Sequence, residues 1–316
     1  MPPQYDAADV ATQETTYPQP LSLGLNLPFV EGSMDGRTPR WDDLAAMARM
    51  AEEMGVDALW LSDHLGFAET DGSWSGGWEC WTLLTALAGV TQRVRLGTYV
   101  LSAPMRNPAV LAKMAETLDE VSGGRLILGL GAGWNQPEFR AFGVPFDDRF
   151  ARFEESLRVI CAMLRSGFAT LDGRLIQARN AEIRPRGPRP AGPPIMVGAS
   201  GPRMLALTAE LADHWNGGMR APEELGPLIA AVDAACVAAN RDPGTLARSA
   251  EVLVRTIEAD PGTPQRDHEL GGEPAAVAAA LRSFAGLGLA HIQVQLRPNS
   301  LEGLEAFGPV MAALGG

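Results

Sequence analysis

Short apolar runs alternate with amphipathic stretches along nearly the whole chain, a pattern that predicts parallel strands joined by crossover helices. The first strand is expected over residues 21–28 and the second over 57–62. Between them residues 41–54 place apolar side chains at helical spacing, and Gly55 closes the helix because glycine enters the left-handed conformation without a Cβ penalty. A helix over 79–90, a strand over 94–101, a helix over 108–121 opened by Pro108 and a fourth strand over 125–129 follow. The second half continues the alternation, with strands over 194–197, 213–216, 248–257 and 291–296. Their helices are expected over 202–212, 222–239, 273–287 and 301–314.

Eight strand–helix units predict an α/β fold, a (β/α)8 TIM barrel, as a single domain over residues 21–316. Two insertions interrupt the alternation. After strand four come an amphipathic helix over 150–164, a hairpin over 168–183 turning at Asp172-Gly173, and a connection over 184–194 rich in Pro and Arg. After strand two a loop holds Phe67, Trp74 and Trp78. Residues 1–20 carry Asp6, Asp9 and Glu14 without an apolar core, which excludes a secretory signal and predicts a disordered leader.

Barrels of this kind carry their site at the carboxyl ends of the strands, and unusual residues gather there. Strand four runs into Gly131-Ala132-Gly133-Trp134, where glycine lets a bulky ligand approach the backbone. Strand two ends in Ser62-Asp63-His64; the imidazole exchanges a proton near neutral pH, and the adjacent carboxylate is suited to hold it or a polar group of a ligand. Gly198-Ala199-Ser200-Gly201 joins strand five to its helix, either as a plain tight turn or as an anion cradle at a helix N-terminus with Arg203 beside it. Trp74, Trp78 and Phe67 are expected to line a pocket for a flat or apolar substrate, and Trp81 to be core. His214 and His291 begin strands, at the far end of the barrel, and are expected to pack rather than react.

The net charge of −12 disfavours nucleic acid or an anionic membrane as partner, and leaves a small molecule as the expected one. Three cysteines, Cys80, Cys161 and Cys236, are too few and too scattered for a disulfide framework, and predict a cytoplasmic protein. His, Asp and Glu nowhere recur at ligand spacing, so no metal is expected. Lys113 is the only lysine and sits within a predicted helix, which argues against Schiff-base chemistry.

Taken together, these residues resemble the bacterial luciferase-like monooxygenase family, in the branch assigned to the deazaflavin coenzyme F420. The resemblance runs from about Leu21 to Gly316 and rests on Ser62-Asp63-His64, Arg95-Leu96-Gly97-Thr98, Arg106-Asn107-Pro108, Ser122-Gly123-Gly124-Arg125, Gly131 to Trp134 with Glu138-Phe139, and Gly198 to Gly201. It implies an F420-dependent oxidoreductase moving a hydride between C5 of the deazaflavin and a small organic substrate. The alternatives are an FMN-dependent monooxygenase using oxygen and a non-catalytic flavin-binding protein. By the same resemblance Asp63 and His64 contact the cofactor or assist proton transfer, and Tyr99 and Val100 form a bulge with a non-prolyl cis peptide behind the ring. Trp134 stands where the sugar-phosphate dehydrogenases of the branch carry a glutamate, Gly198, Ala199, Ser200 and Gly201 hold phosphate, and a homodimer is expected.

Overall fold

The computed structural model describes residues 21–257 and 266–315; the expected leader over 1–20 lies outside them. In chain order the first half comprises β1 (Ser22–Asn26), α1 (Trp41–Glu53), β2 (Ala58–Leu61), β3 (Gly66–Ala68), β4 (Trp74–Gly76), α2 (Cys80–Val90), β5 (Arg95–Thr98), β6 (Leu101–Ser102), α3 (Pro108–Ser122), β7 (Leu126–Gly131), α4 (Gln136–Ala141) and α5 (Arg149–Ser166). The second half comprises β8 (Phe168–Asp172), β9 (Gln177–Glu182), β10 (Ile195–Gly198), α6 (Pro202–Leu211), β11 (His214–Met219), α7 (Pro222–Ala238), β12 (Ala247–Arg255), β13 (Glu269–Leu270), α8 (Pro274–Ala285), β14 (His291–Arg297) and α9 (Leu301–Gly315).

Eight of these strands pair in parallel in the order β10-β11-β12-β14-β1-β2-β5-β7, and β7 pairs back to β10, so the sheet closes on itself. That is the (β/α)8 barrel, with helices packed around a sheet whose inner and outer faces are both buried. The two insertions fold as small hairpins, β3–β4 after strand two and β8–β9 after strand four. No described helix is long and apolar enough to cross a membrane.

The lower half of the barrel is plugged, which leaves only the carboxyl end open. Trp60 lies fully buried across the interior, donating from Nε1 to His291 Nε2 at 2.9 Å, and His291 Nδ1 meets Ser22 Oγ at 2.6 Å. Glycines make room for the indole: a Cβ on Gly24 would fall 2.2 Å from Trp60, and one on Gly97 would fall 2.1 Å from it. Burial depresses the basicity of both His291 and His214, and His214 bonds Ser249. Gly97→Ala is therefore expected to destabilise the protein by about 1–3 kcal/mol through overpacking, read as a lower urea midpoint with unchanged slope. A midpoint equal to wild type would show that Trp60 has another place to go.

Two strands need closer description where the site is built. The third, expected unbroken over 94–101, breaks after Thr98 and resumes at Leu101, and the Tyr99–Val100 peptide between is cis, as the resemblance implied. The fourth extends through Gly131 instead of stopping at Gly129, because its glycines serve close strand packing: a Cβ on Gly129 would lie 1.9 Å from the Thr98 carbonyl oxygen. The helix α4 was not anticipated; six residues with an internal proline carry too little periodicity to stand out.

Candidate active site

At the carboxyl ends of β2, β5, β7, β10 and β11 lies an open cavity of about 380 Å³ whose lining includes His64, Tyr99, Val100, Trp134, Glu138 and Gly198. It runs into a second cavity of about 640 Å³ that shares Val100, Gly131, Trp134 and the turn after β10, and adds Arg149, Phe150 and Arg203. Val100 forms the floor between the two. Cβ atoms on Gly131 and Gly198 would stand 2.7 Å and 3.3 Å from its methyl groups, so glycine on both sides is what keeps the floor open.

His64 sits between aromatic rings, 4.7 Å from Phe67 and 5.2 Å from Trp134 by centroid. Its Nδ1 meets Glu138 Oε2 at 3.0 Å. Glu138 is carried by α4, buried, and also accepts from the Leu65 and Gly66 amides. Burial alone would raise its pKa, but the bonds from His64 and those amides outweigh it and hold the carboxyl below its usual range. A buried carboxylate bonded to Nδ1 fixes the ring's orientation and leaves Nε2 as the free nitrogen.

Asp63, the sequence neighbour expected to serve His64, is committed elsewhere. Its two oxygens take a bidentate pair from Arg106 at 2.7 and 2.8 Å, and Oδ2 also accepts the Ser102 amide at 2.9 Å. Arg106 reaches on to Glu79, the residue that caps α2. Both residues line the first cavity, but Asp63 is nearly buried and turns its oxygens to Arg106, while His64 turns its ring to Glu138. Asp63 thus ties the loop after β5 to the loop after β2, and Glu138 takes the place beside the imidazole.

The other expected residues divide. Tyr99 lines the first cavity, and Val100, Trp134, Gly198, Ala199 and Ser200 line both. Gly201 lines the second and is the N-cap of α6, with no side chain to occupy the free amides of the first turn. Arg203 stacks 3.8 Å over the Phe150 ring at the same place. Phe67 meets the site through His64. Trp74 and Trp78 line neither cavity: the insertion folds back on the first loop, where Trp78 Nε1 donates to the Pro39 carbonyl at 2.8 Å and Trp74 covers Gly66. Both stay partly exposed. Sequence reading missed Glu138 as the partner of His64 and Arg106 as the partner of Asp63; the Glu138-Phe139 and Arg106-Asn107-Pro108 motifs were the available signals.

A closed barrel with an imidazole paired to a buried carboxylate at its open end, beside two joined cavities and the N-terminus of α6, is the architecture of a barrel enzyme. The chain belongs to the luciferase-like monooxygenase family, which it matches over residues 21–260. A 5,10-methylenetetrahydromethanopterin reductase of Methanolobus tindarius is 33% identical over 201 residues, 63% of this chain and 57% of that protein. A phthiodiolone/phenolphthiodiolone dimycocerosates ketoreductase of Mycobacterium tuberculosis is 33% identical over 249 residues, 72% of this chain and 64% of that protein. The chain thus covers less than two thirds of either relative's length. Among solved structures, an F420-dependent secondary alcohol dehydrogenase in complex with an F420-acetone adduct superposes with a TM-score of 0.78 at 19% identity, over 93% of this chain and 99% of the other. A riboflavin lyase with modified FMN and riboflavin gives 0.76 at 17%, over 93% and 92%. At these identities the likeness to the solved structures is one of fold.

Proposed function

We propose that this protein is an F420-dependent oxidoreductase that transfers a hydride between the deazaflavin and a small organic substrate. The observation that carries the reading is the pair of joined cavities, one walled by His64, Tyr99 and Trp134 and the other ending at Arg203 and the open N-terminus of α6. The residues fit the cofactor: Val100 would back a flat ring, with room left because Gly131 and Gly198 carry no Cβ, and Arg149, Arg203 and the free amides of α6 would hold an anionic tail. The F420-dependent alcohol dehydrogenase with the same fold supports the choice of F420, and the sequence similarity to the two reductases supports redox chemistry on an organic substrate.

When bound, the deazaflavin supplies an obligate two-electron carrier. The chain's own residues orient and move the proton. His64 would present Nε2 to the substrate's reacting oxygen, and Glu138 at Nδ1 holds the ring's orientation. Phe67 and Trp134 flank the imidazole. A second reading, an FMN-dependent monooxygenase, is favoured by the FMN-bound riboflavin lyase on the same fold. Titrating the purified protein with F420 and with FMN separates the two: submicromolar binding of F420 and much weaker binding of FMN is the expected result. The reading includes a cytoplasmic placement, in keeping with three buried free thiols.

Gly198→Val or Ser200→Glu is expected to weaken cofactor binding about ten- to a hundred-fold with little loss of fold. The valine would press on the Val100 methyls, and the glutamate would set a carboxylate in the anion cradle. Unchanged titrations for both would remove this turn from the cofactor site. A homodimer is expected through a barrel face that includes the exposed Val110 and Val121 of α3. Sedimentation showing a monomer at every concentration would refute it.

A further inference from the structure

Arg220 follows β11 and lines the first cavity. The other charged side chains there are committed: Asp63 is bonded to Arg106, and Glu138 to His64. Arg220 forms no hydrogen bond or ion pair among the described residues, and its Nε is buried without an acceptor. Glu224, four residues further on, turns instead to the Ala221 amide at 3.0 Å and to His268 at 3.4 Å. The turn that delivers Arg220 is pinned from below. Asn216 Nδ2 donates to Ser249 Oγ at 2.9 Å and to Gln293 Oε1 at 3.1 Å, while its Oδ1 accepts the Gly218 amide at 2.9 Å. A half-buried guanidinium left without an anion is costly, and it stands out in a chain whose 38 acidic residues outnumber its 26 basic ones.

We propose that Arg220 binds a carboxylate of the substrate, so that the substrate is an oxo or hydroxy acid whose reacting carbon lies far from its acid group. The cofactor's anionic tail has its own partners: Arg149, Arg203 and the N-terminus of α6 stand at the second cavity, which Arg220 does not line. His64 follows β2 and Arg220 follows β11, four strands apart in either direction around the eight-stranded barrel, so the two residues face each other across its mouth. A substrate whose oxygen meets His64 therefore needs several bonds between that oxygen and a group at Arg220. An acid on the carbon next to the carbonyl is too short, and one at the far end of a ring or chain fits. The planar guanidinium offers two parallel N–H bonds to the two oxygens of a carboxylate. A single unpaired cation matches that single charge better than the double charge of a phosphate. Arg220 is on this account a substrate-binding residue that takes no part in the bond changes, and the proposal rests on the deazaflavin reading for those.

The test is ligand-observed NMR on the purified protein, with and without F420, using para-acetylbenzoate and its uncharged counterpart para-acetylbenzamide. The wild type is expected to bind the carboxylate about ten- to a hundred-fold more tightly than the amide, the worth of one charge-assisted hydrogen bond. Arg220→Met should bring the two ligands within about twofold of each other and leave F420 affinity within about threefold of wild type. Its urea midpoint should be no lower than wild type, because the side chain holds no partner in the fold. Arg220→Lys should restore only part of the preference, since an ammonium cannot form the bidentate pair. No preference for the carboxylate in the wild type, or a preference that survives in Arg220→Met, would overturn the proposal. So would a lowered midpoint in Arg220→Met, which would make the residue structural, or a larger loss of F420 affinity, which would give the cation to the cofactor. Failure of the wild type to bind F420 would instead sink the cofactor assignment and leave the carboxylate preference, measured without cofactor, standing.

Discussion

His64→Asn is expected to keep F420 affinity within about threefold of wild type and to slow saturated turnover about 10²–10⁴-fold, the usual contribution of a positioned general acid–base group. Asparagine preserves much of the side chain's size between Phe67 and Trp134 but cannot take up a proton. Glu138→Gln completes the argument. It keeps a polar group 3.0 Å from Nδ1 but removes the carboxylate that orients the ring, so saturated turnover should fall while F420 affinity holds. Asp63→Asn, by contrast, should act on the loop after β5 and not on the imidazole, because Asp63 bonds Arg106. A saturated rate for His64→Asn within two- to three-fold of wild type, far short of the general acid–base range, would make His64 a binding residue only.

Arg106→Met should cost about 3–5 kcal/mol of stability, the range for removing one member of a buried ion pair. Asp63 is 4% exposed and would retain only the Ser102 amide for its charge. The lost bond to Glu79 adds little, since that carboxylate is partly solvated. Arg106→Lys should recover only part of the loss, because an ammonium cannot form the bidentate pair. Denaturant unfolding measures both variants. A loss under about 1 kcal/mol for Arg106→Met would show that water reaches Asp63 and that the loop after β5 is held by other means.

Glu138 also contributes to stability at its own pH. Its pKa is held below the usual carboxylate value in the folded state, so this stabilisation is present above the unfolded value near 4.5 and is lost as pH falls through the folded one. Glu251 has the opposite sign. Its folded pKa of about 7 exceeds the unfolded one, so stability falls as pH rises between the two. Both signs follow from surroundings that no local stretch of sequence displays.

The sequence by itself determined the barrel. Apolar runs at strand length alternate with helical periodicity from Leu21 to Leu314, and closure into eight parallel strands is the way such units bury both faces of the sheet. It also determined which loops matter, because the residues after a barrel strand must lie at its carboxyl end: His64, Trp134 and Gly198 were placed by that rule alone. Pairing was beyond it. Asp63 and His64 are adjacent in the chain yet face different partners, whereas His64 and Glu138 meet across 74 positions. Only the tertiary structure decided those partners and the turning of Trp74 and Trp78 away from the cavities. Side-chain direction at a strand end and the folding of an insertion are set by contacts between distant segments, and hydrophobic periodicity carries no information about them.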